Sequence, residues 1–304
     1  MEAARAYVPR DPSRSVLQPL LREWWPTYIE SMEATGSSVP AFVQKAVARL
    51  LACGDPEHGF IRLRCRDCGT QRALPFSCKG RGLCPSCGAR RMHDTAHHLV
   101  ERVLPDVPIR QYVLSPPSEM VGLLAARGEA VSALGRVFVE SIVAGIQSRA
   151  GDNLHCGCVV FVQRFTKALS VYPHLHVLAL DGGYLELDDG TLTFVEDTAP
   201  TPAALRAIED RVEVRFGRWL KRNGFLDEEG PEEQELDGWW TGAASEPSGV
   251  LAPVGARRSS RWEVDARVRV LAGDRKGREQ LCLYVARPPF AEAQLEVLDE
   301  DRVR

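Results

Sequence analysis

Apolar residues recur at helical spacing through Val16, Leu17, Leu20, Leu21, Trp24 and Trp25, which predicts a helix over 16–34. A second helix is expected from Ser38 as its cap, with Pro40 in the first turn. Its inward positions are Phe42, Val43, Ala46, Val47, Leu50 and Leu51. From Cys53 to Arg91 the periodicity fails, and the chain reads as irregular until a helix running through His97 and Leu104. After Pro108 the texture changes. Ile109–Ser115 reads as a strand and Glu119–Ala150 as helix broken near Gly128. Cys158–Phe165 and His174–Leu180 are β-branched or apolar runs bounded by turns, hence strands. Gly183–Leu187 and Thr191–Val195 flank Asp188-Asp189-Gly190, a hairpin signal. A helix is expected over Pro202–Asn223 with Gly224 as its stop. A strand over Trp262–Leu271 and a helix over Arg275–Arg287, ended by Pro288-Pro289, complete the pattern. Strands grouped with helices, without regular βαβ spacing, predict an α+β layer fold.

Composition narrows the class. A chain of 304 residues, 44% hydrophobic and 26% charged, can bury its own cores in about two or three folding units. No apolar run approaches the ~18 residues of a membrane span. The first residues, MEAARAYVPRDPSRSV, lack a secretory apolar stretch, so a cytoplasmic protein with no membrane partner is expected. Residues 227–237 carry seven acids and no base, the composition of a solvated linker. The expected divisions are 1–104 (helical, cysteine-rich), 105–225 (main sheet), 226–260 (linker) and 261–304 (a final helical piece).

Nine cysteines change the picture, because six lie between positions 53 and 87. In a reducing compartment, metal explains that density better than disulfides do. Cys65-x2-Cys68 and Cys84-x2-Cys87 are knuckles separated by fifteen residues, close to the spacing of a structural zinc site. Each knuckle presents two thiolates to one edge of a tetrahedron. Cys53, Cys78 and His58 are further candidates, either replacing a knuckle thiol or serving a second site. Around them Arg62, Arg64, Arg66, Arg72, Lys79, Arg81, Arg90 and Arg91 face only Asp67, giving +7 over 62–91 in a chain of net charge −3. That polarisation points to nucleic acid, since phosphate neutralisation supplies most non-specific affinity.

His174 and His176 lie two apart on a strand, so alternation puts both imidazoles on one face and Leu175 and Val177 on the other. Such a pair can grip one divalent ion. Metal-dependent amide hydrolases use a similar pair but need later His and Asp ligands. The remaining histidines, His58, His93, His97, His98 and His155, all lie upstream. Tyr284 sits in REQLCLYVAR, a short helical segment, and by itself reads as a packing residue.

Taken in order, these segments resemble a known family. The run SCKGRGLCPSC (77–87) with Cys53-Gly54, Gly59 and Arg90-Arg91 is similar to the N-terminal zinc domain of rolling-circle insertion-sequence transposases. VPIRQYVLS (107–115), VQRF (162–165), PHLH (173–176) and LCLYVARPP (281–289) resemble that family's nuclease sheet and tyrosine helix. The family belongs to the HUH endonucleases. The resemblance implies an HUH-type antiparallel sheet with packed helices behind N-terminal helices and a zinc ribbon. It implies structural Zn2+ at Cys65, Cys68, Cys84 and Cys87, with Cys53 and Cys78 as extra ligands. It implies catalytic Mg2+ or Mn2+ at His174 and His176, with Gln280 as third ligand and Glu279 or Gln163 as alternatives. Tyr284 would be the nucleophile on single-stranded DNA. Element-end DNA would be bound through Arg62, Arg64, Arg66, Lys79, Arg81, Arg90 and Arg91. Position 280 is Gln where some members carry a second tyrosine, which implies a one-tyrosine cycle. Members continue for a further basic and aromatic segment, so a chain truncated at its C-terminus is expected. A non-catalytic DNA-binding derivative and a replication initiator or relaxase are the alternative readings.

Overall fold

The computed structural model describes residues 15–80, 82–166, 169–226 and 261–289, with 295, 297–299 and 302–303. The chain forms two compact units: residues 1–94 with 287–304, and residues 95–286. The piece expected as 261–304 is thus divided, its helix falling in the second unit and the residues from 287 in the first. The acidic linker lies outside the described residues.

In the first unit, α1 (Leu17–Ala34) follows the apolar spacing read from the sequence. Helix α2 (Ala41–Leu51) begins later than expected, because Pro40 stands at its cap with extended ψ of 138° and Ser38 lies outside. The proline ring keeps Val39 before it out of helical backbone, and Pro40's own extended ψ makes Ala41 the first helical residue. Gln18 ties the two helices: its buried amide donates to the carbonyls of Leu50 (3.2 Å) and Leu51 (2.6 Å). Both are last-turn carbonyls of α2, and Leu50's also accepts from the Cys53 N–H (3.0 Å).

The segment read as irregular contains a ribbon, β1 (Phe60–Arg64) paired antiparallel with β2 (Gln71–Pro75). Alternating arginines masked its period, because its apolar residues are not buried: Phe60, Ile61 and Leu63 are each about half exposed. At its tip Cys65-x2-Cys68 makes the turn. Gly69, at φ +71°, donates its N–H to the Cys65 carbonyl. Only glycine takes that left-handed backbone without a Cβ penalty. Helix α3 (Pro85–His98) leads out of the cysteine segment and on into a wider turn at Leu99–Val103.

The second unit is built on a five-stranded antiparallel sheet. Its strands are β3 (Ile109–Ser115), β4 (Cys158–Phe165), β5 (Val171–Leu180), β8 (Glu263–Asp265) and β9 (Arg269–Val270). The order is β4-β5-β3-β8, with β9 also on β3. The single strand expected over 262–271 is therefore two short ones. Asp265 accepts from the Arg267 N–H (3.0 Å) and turns the chain between them. A separate hairpin joins β6 (Gly182–Glu186) to β7 (Leu192–Glu196).

One sheet face presents Tyr112, Leu114, Leu175, Val177 and Ala179. It packs with Phe138, Ile142 and Ile146 of α5 (Gly128–Ala150) and Ile208, Val212 and Phe216 of α6 (Pro202–Arg222). A short α4 (Val121–Ala126) precedes α5, with the break at Gly128 as expected. The opposite face buries Ile109, Leu178, Leu180 and Val270 against Leu281, Cys282 and Val285 of α7 (Arg275–Val285). This sandwiching fixes the site: α7 is held on the face to which His174 and His176 alternate. Two further short strands, β10 (Val297–Asp299) and β11 (Arg302–Val303), pair near the C-terminus. Among the described residues, no helix is long and apolar enough to cross a membrane.

Candidate active site and metal centre

In the first unit the sulfurs of Cys53, Cys78, Cys84 and Cys87 lie within 4.8 Å of one another. Three of the separations are 3.6 Å (Cys53–Cys87), 3.6 Å (Cys78–Cys87) and 3.7 Å (Cys84–Cys53). A tetrahedron with Zn–S near ~2.3 Å has sulfur–sulfur edges of about 3.8 Å, so the quartet matches a closed structural zinc site. Backbone N–H groups support it: Cys78 donates to Cys53 Sγ (3.2 Å) and Gly80 to Cys78 Sγ (3.3 Å). Their mutual hydrogen bonds hold the Cys53 thiol far below its ordinary range and push those of Cys78 and Cys84 above theirs, so the four sulfurs share protons that a bound cation would displace.

This corrects the expected ligand set. Cys84 and Cys87 are in the quartet, but their partners are Cys53 and Cys78; Cys65 and Cys68 are exposed at the ribbon tip. The paired spacing was a sound signal for metal and a misleading one for partners. The ribbon carries its own knuckle away from the core, while Cys53 follows α2 directly. At the tip, a hydrogen bond with Thr70 (3.1 Å) brings the Cys68 thiol down to about 7. His58 is outside the quartet and lies 3.6 Å from Asp55.

Of the proposed DNA-contacting residues, Arg62, Arg64, Arg66, Lys79, Arg90 and Arg91 are all solvent-exposed, and Arg81 lies outside the described residues. The β1–β2 register puts Arg62, Arg64 and Gln71 on one ribbon face and Arg72 with Ile61 and Leu63 on the other.

In the second unit the alternation argument holds. His174 and His176 share a face, with ring centroids 5.0 Å apart. The Tyr284 ring stands edge-on to His176 at 5.7 Å, so residues more than a hundred positions apart meet at one spot. Tyr284 is 43% exposed and open to a substrate, whereas His176 is 2% exposed. The Tyr172 carbonyl accepts from His174 Nδ1 (2.8 Å). A carbonyl can only accept, so Nδ1 carries the proton and Nε2 keeps its lone pair for a cation. On His176, Nδ1 lies 2.6 Å from the side-chain amide nitrogen of Gln111, whose N–H donates to the ring. An imidazole that binds metal through one nitrogen commonly donates from the other, as His174 does to the Tyr172 carbonyl.

Gln163 has a different place from the ligand role considered for it. It pairs with His174 across β4 and β5, is buried, and donates its amide to the carbonyls of Tyr284 and Val285 (3.3 Å each). It thereby pins the C-terminal end of the tyrosine helix to the histidine row. Gln280 is exposed one turn before Tyr284 on α7, and Glu279 is exposed beside it. Sequence reasoning missed Gln111 altogether. The available signal was an amide at an inward position of an otherwise apolar strand.

The comparisons decide the family. Residues 20–116 match the family model for the IS91 "Transposase zinc-binding domain", and residues 157–304 match the one described as "Putative transposase". The chain belongs to the IS91-type rolling-circle transposase family. Neither a curated protein nor a solved structure matches it. An IS91-type transposase is a DNA-processing enzyme, and the zinc-domain match agrees with the four-cysteine cluster in assigning structural Zn2+ to the first unit. The membership also sets aside the replication-initiator alternative.

Proposed function

We propose that this transposase cuts and rejoins single-stranded DNA through a covalent tyrosine intermediate. The observation that carries the reading is the edge-on approach of Tyr284 to His176 at 5.7 Å, on the sheet face shared with His174. The Tyr284 hydroxyl attacks the scissile phosphorus. A tyrosine–oxygen–phosphorus bond forms, the bond to the 3′-oxygen breaks, and that oxygen leaves as a hydroxyl while the phenol gives up its proton. The phosphodiester energy is kept in the 5′-phosphotyrosine, so rejoining needs no nucleotide cofactor. His174 and His176 suit a divalent ion, Mg2+ or Mn2+, because the two rings stand 5.0 Å apart on one sheet face beside Tyr284. Such an ion supplies charge neutralisation at a non-bridging phosphate oxygen and eases ionisation of a phenol whose ordinary pKa is ~10. Gln280 is the proposed third ligand from the tyrosine helix.

Gln163 keeps the helix carrying Tyr284 in register with the histidine row, and burial of Leu281, Cys282 and Val285 sets the face it presents. The exposed arginines of the first unit suit the phosphates of the same strand or of the element end.

The test is incubation with single-stranded element-end oligonucleotides and Mg2+, followed by a denaturing gel. The wild type is expected to yield a covalent protein–DNA band that Tyr284→Phe abolishes while DNA binding persists. A wild-type chain that binds DNA but never forms the band would leave the non-catalytic reading.

A further inference from the structure

Helix α6 carries charge in a pattern that its core packing does not require. Ile208, Val212, Phe216 and Leu220 form its buried row. On a different flank, Arg211, Arg215, Arg218 and Arg222 fall within about 60° of arc, along about 17 Å of the helix. All four are exposed. Neighbours three and four apart are then like charges, an arrangement that destabilises a helix unless something anionic meets it. The acids of α6 do not relieve it. Glu209 is turned toward the sheet, where it accepts from the Val264 N–H (2.8 Å), and the helical count puts Glu213 on the far side. Arg215 pairs with Glu140 of α5, but Arg211 and Arg218 have no acidic partner among the described residues. The helix dipole accounts for Lys221 and Arg222 in the last turn, not for three arginines further back. Asp210, Arg211, Val214, Arg215 and Arg218 line a shallow trough open to solvent.

We propose that this arginine stripe is a second DNA-binding surface, which grips the phosphate backbone of duplex DNA. One strand of a duplex sets out a phosphate every ~3.4 Å of axis, about five over the length of the stripe, so four guanidiniums nearly match it. Each guanidinium can meet a phosphate with two parallel N–H groups. A duplex fits better than a single strand because the stripe offers no stacking platform. Surfaces for single strands add aromatic faces to a charged groove. Here Phe216 is buried, and Trp219 stacks on Phe216 and Phe225, with ring centroids 5.8 and 5.5 Å apart. Moreover, α6 covers the sheet face away from His174, His176 and Tyr284. The DNA held here is therefore not the strand that meets the tyrosine. The inference goes beyond the tyrosine chemistry and needs only that the chain acts on DNA, as its family does.

The experiment measures binding of the full-length chain to a blunt duplex by fluorescence anisotropy across a salt series. Arg211→Gln with Arg218→Gln should flatten the log–log slope by about 0.9 per arginine and weaken binding roughly 10- to 60-fold at ~0.1 M salt. Arg211→Lys with Arg218→Lys keeps both charges and should restore most of the slope. Arg206→Gln removes a positive charge from the same helix, well off the stripe, and should change neither slope nor affinity. The melting temperature of the Gln pair is the folding control and should not fall, since two like charges have gone. A wild type without affinity for the duplex, an unchanged slope in the Gln pair, an equal loss in Arg206→Gln, or a Lys pair no better than the Gln pair overturns the proposal. So does a Gln pair that flattens the slope on a single strand and leaves the duplex slope intact. No cutting is involved, so a missing covalent band would count against the tyrosine reading and leave this one standing.

Discussion

The cysteine quartet and the histidine–tyrosine site gather distant residues by opposite means. The second unit positions His176 and Tyr284 with rigid elements clad in apolar side chains on both sheet faces. Around the quartet, the buried cluster among the described residues is Leu50, Cys53 and Cys84, with Leu17, Leu21, Cys78 and Cys87 packed against them. So small a cluster cannot offset the chain entropy of ordering the cysteine segment. There the metal does the work that a core does in the other unit, as in small zinc domains whose binding energy is folding energy. One site rests on a scaffold; the other is its own scaffold.

The sharpest way to break this contrast is to remove a quartet thiol. Cys53→Ser or Cys78→Ser should abolish zinc by elemental analysis and speed hydrogen exchange through residues 41–94, leaving the protection of the sheet strands unchanged. Cys65→Ser and Cys68→Ser should keep one zinc per chain. If the tip pair proved essential and Cys53 dispensable, the quartet would not be the site.

The second unit should instead respond to a cut in its buried electrostatics. Asp181 is fully buried and accepts from Arg110 (2.6 and 2.9 Å) and Arg269 (2.5 Å). Asp181→Asn leaves Arg110 without its counter-charge and should cost about 3–5 kcal/mol by chemical denaturation, with zinc content unchanged.

A smaller effect is expected on the ribbon. Arg62→Ala with Arg64→Ala should flatten the salt dependence of single-strand binding by about 0.7 per arginine in the log–log slope, read by fluorescence anisotropy. An unchanged slope would remove those residues from the phosphate contacts. The smallest signal is chemical. In zinc-loaded protein the exposed Cys68 should alkylate ahead of the quartet. Because its pKa is lowered to about 7, the thiolate persists above that pH, and the rate should fall as pH drops through it rather than through the ordinary value near 9. A midpoint near 9 would show that Thr70 does not hold the thiolate.

Much of the architecture was legible because its signals are local. Period-two alternation in PHLHVLAL placed both imidazoles on one face, and helical spacing found α1, α5, α6 and the helix of Tyr284. The β1–β2 ribbon escaped because its apolar residues are not buried, so it lacks the inside–outside contrast on which a period depends. Resemblance to the family supplied the role proposed for Tyr284, which spacing alone left as a packing residue.

The chain's order of residues determined that a metal is held by cysteines, that two histidines face one way, and where most helices and strands run, since each depends on neighbours within a few positions. Only the tertiary structure decided which four cysteines converge, that Gln163 pins the tyrosine helix, and that Gln111 reaches His176. Those contacts depend on which strands and helices become neighbours in space. That is settled by burying both faces of one sheet, and no short stretch of sequence records it.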